Sequence, residues 1–441
     1  MSNITICLPI MLYISNLLLT NQEEVNKYLE GPCKYLKIRR RIDFLMTFLV
    51  MHITGYRCIY EYEKSYQNVK SIGFSIFGAG KARSILKSIS NSMLSWKLLL
   101  LQRAIVEKVC PELTKDKKKI KVKGEKVIEE TLDIDGFSVV SFSDKREGSL
   151  LGHHRRYRGK PTLQSSVAFI GKIFVDIKLF AGNVNVCVHF QKAVKRVRSL
   201  GYAFSAVRAD TAYGKVENLL FLEKLSLSYV LGICTSLISL KKAKVKFKKL
   251  AAKRSAKIVH IDKGSAILDL GFINVASARN EPVYRRVVLC RRIHRKKKKG
   301  KWKIKTYFYA LVTDLEWSPR KIFSFYHQRQ NIENALKEAQ HHYFFAKLCS
   351  HTSIKANEFW MTTKVFAMTM AKIFAYCILS VRFQTMYLRS IIRKFFANSI
   401  HYVLNFQVHL TPKCKHLWHI RRIFAKICQN DINSQAFIIA A

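Results

Sequence analysis

Leu132-Asp133-Ile134-Asp135 alternates apolar and acidic residues, and Val207-Arg208-Ala209-Asp210 closes a second apolar run on an aspartate. Alternation with period two is the mark of a strand, so Leu132 and Ile134 share one face while Asp133 and Asp135 share the other. Ser138–Phe142 continues the extended pattern, and Phe204–Arg208 reads as a strand that delivers Asp210 at its carboxyl end. Catalytic and ligand-binding groups gather at the carboxyl ends of strands in α/β sheets. Geometry does not choose between Asp133 and Asp135, because both point the same way. Asp210 taken alone also reads as a turn residue or helix N-cap.

Outward from these two runs, strands and helices alternate. Ser165–Gly171, Ile173–Phe180 and Tyr229–Cys234 are apolar and strand-like, while Val188–Leu200 and Val216–Leu225 are helical. Such alternation argues for an α/β layered sheet. Residues 235–312 differ: they are basic, with Lys241–Lys249 and Arg291–Lys305 as charge runs and Ala266–Val275 and Arg285–Leu289 as short strands. This stretch reads as a β-rich insertion, followed by a strand at Tyr307–Thr313. Ser318 is a candidate N-cap with Pro319 at the first helical position, opening a helix that runs to about His342. At about 100° per residue, Tyr326, Arg329, Glu333, Lys337 and Gln340 share one stripe of it, and Glu338 is turned about 140° from Glu333. The bland reading of that stripe is an exposed amphipathic face with an i,i+4 ion pair. The expected organisation is a helical N-terminal region over 1–126, an α/β domain over 127–345 that carries the insertion, and a helical region over 346–441.

Charge supplies an independent constraint. The 441 residues hold 77 Lys+Arg against 29 Asp+Glu, a formal net charge of +48. A chain so basic repels itself unless a polyanion shares the load, and nucleic acid is the foremost candidate because each neutralised phosphate releases a counterion. The eleven cysteines form no CxxC pair, and Cys414, His416 and His419 lack a usual zinc spacing. Reduced thiols of a cytoplasmic protein are expected. Ile4–Leu19 is apolar but shorter than the ~20 residues a membrane span needs, and it lacks the basic flank of a signal peptide. A buried helix is expected there, with no membrane partner.

Tyr326-His-Gln-Arg329-Gln-Asn-Ile-Glu333-Asn-Ala-Leu-Lys-Glu-Ala-Gln340 resembles the Tyr-x2-Arg-x3-Glu-x6-Lys signature of DDE transposases from bacterial insertion sequences. Val207-Arg-Ala-Asp210-Thr-Ala-Tyr-Gly is similar to the family's second aspartate motif, and Leu132-Asp-Ile-Asp135-Gly to its first. Tyr157-Arg-Gly-Lys-Pro, Phe180-Ala-Gly-Asn183 and the stretch after the glutamate add to the likeness, which spans roughly Leu132 to Ile427. Gln340 stands where the signature ends in lysine, and Phe137 where a small hydroxyl residue is common.

The resemblance implies a ribonuclease-H-like catalytic core with a β-rich insertion and helical flanks. It implies Asp135, Asp210 and Glu333 as catalytic ligands of two magnesium ions, with manganese as a substitute and Asp133 as the less favoured stand-in for Asp135. It further implies Tyr326 and Arg329 as DNA contacts; Lys337, Arg158, Lys160 and Arg208 are further candidate DNA contacts. The partners it implies are terminal inverted repeats and target DNA, bound by a homodimer associated with the nucleoid. The chemistry is consistent with acids on separate elements: phosphodiester cleavage and transfer need charge offset on both the attacking and the leaving oxygen, which two hard cations about 4 Å apart supply. The readings that compete are a metal nuclease without strand transfer, and a non-enzymatic basic DNA-binding protein derived from a transposase.

Overall fold

The fold is that of a computed structural model. It describes residues 3–30, 38–64, 76–89, 91–115, 128, 130–141, 143–152, 154, 157–234, 238–252, 257–262, 264–276, 281–298, 301–349 and 352–393, with strand segments at 400–404, 407–410 and 439–440. The basic run Lys117–Lys126, which reads from the sequence as a linker or solvated hairpin, and the trio Cys414, His416 and His419 lie outside the described residues.

The N-terminal part is helical and includes α1 (Asn3–Thr20), α2 (Gln22–Leu29), α3 (Ile38–Ile53), α4 (Ala79–Ser88) and α5 (Met93–Val109). The apolar run at the N-terminus is α1, and Ile10, Met11, Ile14 and Leu18 are buried in it. No described helix is long and apolar enough to cross a membrane.

The sheet follows: β1 (Thr131–Val140), β2 (Leu150–Leu151), β3 (Pro161–Ile170) and β4 (Ile173–Ala181), then α6 (Phe190–Ser199), β5 (Ala206–Ala209), α7 (Val216–Lys224) and β6 (Ser228–Ile233). β1 is antiparallel to β3 on one side and parallel to β5 on the other, and β5 is parallel to β6. The insertion opens with a helix, α8 (Ile238–Ala252), where the sequence suggested only a charge run in a β-rich stretch. Its Leu240 and Phe247 are fully buried, and those two contacts fix a helix that its lysines alone would not. β7 (Ile258–His260), β8 (Ser265–Asn274), β9 (Tyr284–Lys298) and β10 (Lys301–Thr313) complete a ten-stranded mixed sheet through the β6–β10 pairing. The Arg291–Lys305 run lies on the β9–β10 hairpin, whose pairing continues to Lys298–Lys301, past the last residue paired with β8 at Arg292.

Three further helices are α9 (Pro319–His327), α10 (Gln330–His341) and α11 (Ile354–Ile378), before the short α12 (Leu388–Ile391). α11 is buried nearly all round, as expected of a helix apolar on every side. Phe359 stacks on Phe44 of α3 at 5.9 Å, Phe374 meets Tyr13 of α1 at 5.5 Å, and Glu358 accepts from Lys178 of β4 at 2.9 Å. The N-terminal helices therefore share one continuous apolar core with the sheet.

Lys364 is the unusual residue of α11. Its Nζ is buried and donates to the carbonyls of Phe344 and Lys347, 2.7 Å each, which fixes the loop after α10. Burial pushes its ammonium down to about 7. The unfolded value is near 10.4, so between pH 7 and 10 the unfolded chain binds the extra proton and this group's contribution to stability rises with pH. Above pH 8 the buried thiols Cys7 and Cys290, which burial pushes up, act in the opposite sense. The denaturation midpoint measured from pH 7.0 to 8.0 is therefore expected to climb more steeply in the wild type than in Lys364→Met. Equal slopes would show that the buried ammonium keeps its ordinary affinity for the proton.

Candidate active site

The register of two parallel strands builds the site. Asp133 lies beside Arg208 and Ile134 beside Ala209, so the next residues, Asp135 and Asp210, emerge together at adjacent carboxyl ends. They face one cleft of about 510 Å³, also lined by Gly136, Asn183, Asn185, Cys187 and Tyr213. A cavity of similar size, about 570 Å³, lies behind α10 at Asn331, Asn334 and Glu338 and holds neither aspartate.

Each aspartate is held differently. Asp135 Oδ1 accepts from the Gly136 amide at 2.8 Å, and Oδ2 accepts from Arg329 at 2.9 Å. Burial raises the Asp135 carboxyl; the Arg329 charge and the Gly136 amide oppose that rise, and the nearby Asp210 charge adds to it. Asp210 Oδ1 accepts from the Ala212 amide at 2.9 Å and so caps the single 3-10 turn Thr211–Tyr213. Asp210 is thus an N-cap and at the same time lines the cleft. Gly214 and Gly232 let this turn lie on β6, because a Cβ on Gly214 would run into the Gly232 carbonyl.

Asp133 and Asp135, which the sequence could not separate, have different environments. Asp133 is 2% exposed and Arg208 is 1% exposed. They form a bidentate pair at 2.9 and 2.8 Å, the geometry that suits a planar guanidinium. Arg208 also donates to the Phe325 carbonyl at 2.8 Å and to Gln328 Oε1 at 3.0 Å. This corrects two expectations. Arg208 is not placed to touch DNA, because its guanidinium is consumed inside the fold. Asp133 is not placed to stand in for Asp135, because its carboxylate is closed off by that pair. Asp133 and Arg208 each lie two residues before their aspartate, an offset that pairs them only once β1 and β5 are parallel neighbours in this register.

The expected single helix over Ser318–His342 is two helices broken at Gln328–Arg329. Ser318 does cap the first, accepting from the Lys321 amide. Arg329 sits at the break with helical φ and ψ, so the four-residue step to Glu333 survives, and Arg329 donates to Glu333 Oε1 at 2.6 Å. One guanidinium thus spans Asp135 and Glu333. Tyr326 lies beside it; burial raises its phenol to about 12, with Arg329 opposing and Asp210 adding. Glu338 points the other way, accepting from the Leu388 amide at 2.7 Å and pairing with Lys372 at 3.3 Å. Lys337, Arg158 and Lys160 are exposed. Among the described residues, no three acidic, histidine or cysteine side chains lie close enough together to hold a metal ion. Arg329 occupies the position between two of the acids.

The sequence profile for the transposase DDE domain, group 1, matches residues 95–430, about three quarters of the chain. This chain belongs to the DDE transposases. No curated protein matches it. The match takes in nearly all of α5, the ten-stranded sheet, the α9–α10 pair and α11, so both aspartate strands and the Glu333 helix of this DDE transposase lie within the family's domain. Tyr213 and Cys187 line the same cleft as the two aspartates and are not candidate site residues by sequence. Tyr213 stood in plain view inside the second aspartate motif, with nothing in its spacing to mark it.

Proposed function

We propose that this transposase cleaves DNA at transposon ends and joins the freed 3′-hydroxyl to target DNA, with Asp135, Asp210 and Glu333 as its catalytic acids. The observation that carries this reading is the parallel β1–β5 register, which brings Asp135 and Asp210 out side by side into one cleft. The sheet edge β4–β3–β1–β5–β6, three antiparallel strands followed by two parallel ones, supports a ribonuclease-H-like core.

The donor set suits a hard divalent cation. Magnesium takes carboxylate oxygens and keeps several waters, so two or three acids from different elements suffice. Bound at Asp135, Asp210 and Glu333, magnesium or manganese would supply an activated attacking oxygen and charge neutralisation at the leaving oxygen. The chain's own groups do the positioning. Arg329 now neutralises Asp135 and Glu333 and is the group to hand over to a DNA phosphate, with Tyr326, Lys337, Arg158 and Lys160 gripping the flanking backbone. Terminal inverted repeats bound by a homodimer complete the reading.

Because Arg329 holds both acids, a cation must compete with it. Arg329→Met is expected to bind Mn²⁺ about tenfold more tightly without DNA, in line with the ~1.5–3 kcal/mol of hydrogen bonds to charged groups. Electron paramagnetic resonance titration reads this directly. Unchanged affinity would mean that Asp135 and Glu333 take no part in binding the ion. The function is tested by incubating full-length protein with Mn²⁺ and a duplex carrying the DNA that flanks the gene. Nicks at defined positions are expected from the wild type, and binding without nicking would favour the non-enzymatic reading.

A further inference from the structure

Tyr213 is 2% exposed, and its hydroxyl has no hydrogen-bond partner. Among the described cleft-lining residues it alone combines a buried polar atom with an unmet bond. Leaving a buried hydroxyl unmet is destabilising by ~1–3 kcal/mol, so its retention calls for an explanation. The ring is fixed from behind by Phe190, with centroids 5.6 Å apart. Its Oη is turned toward β1: a Cβ built on Gly136 would lie 3.1 Å from it and 2.8 Å from Val186 Cγ2. The absence of a side chain at Gly136, next to Asp135, leaves room for that oxygen at the floor of the cleft. Burial, then the charges of Cys187, Asp135 and Asp210, hold the phenol well above its ordinary value, so at neutral pH it is an O–H donor.

We propose that Tyr213 donates its hydroxyl hydrogen to a non-bridging oxygen of the DNA phosphate that enters between Asp135 and Asp210. The site is acidic, and an anionic phosphate approaching two carboxylates gains from a neutral donor held dry against Gly136, next to Asp135. No protein acceptor competes for that hydrogen, so the bond forms only when the substrate arrives. Tyr213 is then a substrate-contacting residue whose unmet hydroxyl lowers the stability of the free protein. This inference rests on the function proposed above, and its test separates the two.

The experiment uses full-length protein, the gene-flanking duplex, and tyrosine labelled with ¹³C at Cζ, with Tyr213 assigned by the signal lost in Tyr213→Phe. Calcium replaces manganese for the binding measurement. The Tyr213 resonance is expected to move when the duplex is added, whether or not the DNA is later cut. Tyr213→Phe is expected to keep the wild-type thermal midpoint or exceed it, to bind the duplex within twofold, and to cleave with Mn²⁺ about 10- to 100-fold more slowly. A Tyr213 resonance that ignores the duplex, or a Tyr213→Phe variant that cleaves at the wild-type rate, overturns the inference. If the resonance moves but Asp210→Ala cleaves like wild type, the phosphate contact stands and the catalytic reading falls.

Discussion

Alanine at Asp135, Asp210 or Glu333 is expected to slow strand cleavage by about 10³-fold or more while leaving duplex affinity within a few-fold. The magnitude follows from the role. A cation that stabilises charge on the attacking and leaving oxygens contributes several kcal/mol to the barrier, and each ~1.4 kcal/mol is a factor of ten. Binding changes little because a chain of net charge +48 takes its affinity from phosphate contacts spread over the surface. Asp135→Ala removes an acid whose two oxygens are both engaged, by the Gly136 amide and by Arg329. The freed Arg329 keeps Glu333 as a partner, so the fold is expected to survive. Single-turnover cleavage of the labelled duplex, beside a filter-binding isotherm, separates the two quantities. Three alanine variants that cut like wild type would rule out the acids as the catalytic set.

Asp133→Ala is expected to do the opposite: it should damage the fold before the chemistry. Removing one partner of a buried ion pair typically costs ~3–5 kcal/mol, because the other charge is left uncompensated. Here the stranded group is Arg208, 1% exposed, keeping only the Phe325 carbonyl and Gln328 as acceptors. Against a total stability of ~5–15 kcal/mol, the loss is large. Arg208→Met should cost a similar amount by stranding Asp133. The double variant Asp133→Leu/Arg208→Met should recover much of the loss, since an apolar pair of similar volume is often neutral in place of a buried ion pair. Urea denaturation of the two single variants and the double variant reads this as a cycle. If the single losses simply add in the double variant, the buried pair is not a coupled unit. The contrast with Asp135→Ala, which should lose rate and keep stability, separates the two aspartates by experiment as the register separates them in space.

Much of this arrangement is legible in the amino-acid sequence. Period-two alternation at Leu132–Asp135 and the apolar run into Asp210 located two strand ends, and both aspartates emerge there. The helical stripe turned Glu333 away from Glu338, and the two residues do face opposite ways. What stayed hidden depends on partners distant in sequence. Nothing local says that Asp133 meets Arg208, 75 residues on. The break at Gln328–Arg329 is imposed by tertiary contacts at that point, because Arg208 takes both the Phe325 carbonyl and the Gln328 side chain. The lysine-rich α8 looked like a solvated charge run, since its buried contacts, Leu240 and Phe247, are few among many cations. Tyr213 is hidden for a subtler reason. Its significance is a missing bond, and a missing bond has no spacing.

Arg208 carries a consequence for anyone who would move this site to another scaffold. It ties the Asp135 strand, through Asp133, to the helix turn that leads to Arg329 and Glu333. A graft of Asp135, Asp210 and Glu333 alone would transfer three acids and lose the brace that sets how far the helix stands from the sheet. Carrying the brace along takes the Asp133–Arg208 pair and, on the helix side, the turn at Phe325 and Gln328 that accepts from Arg208.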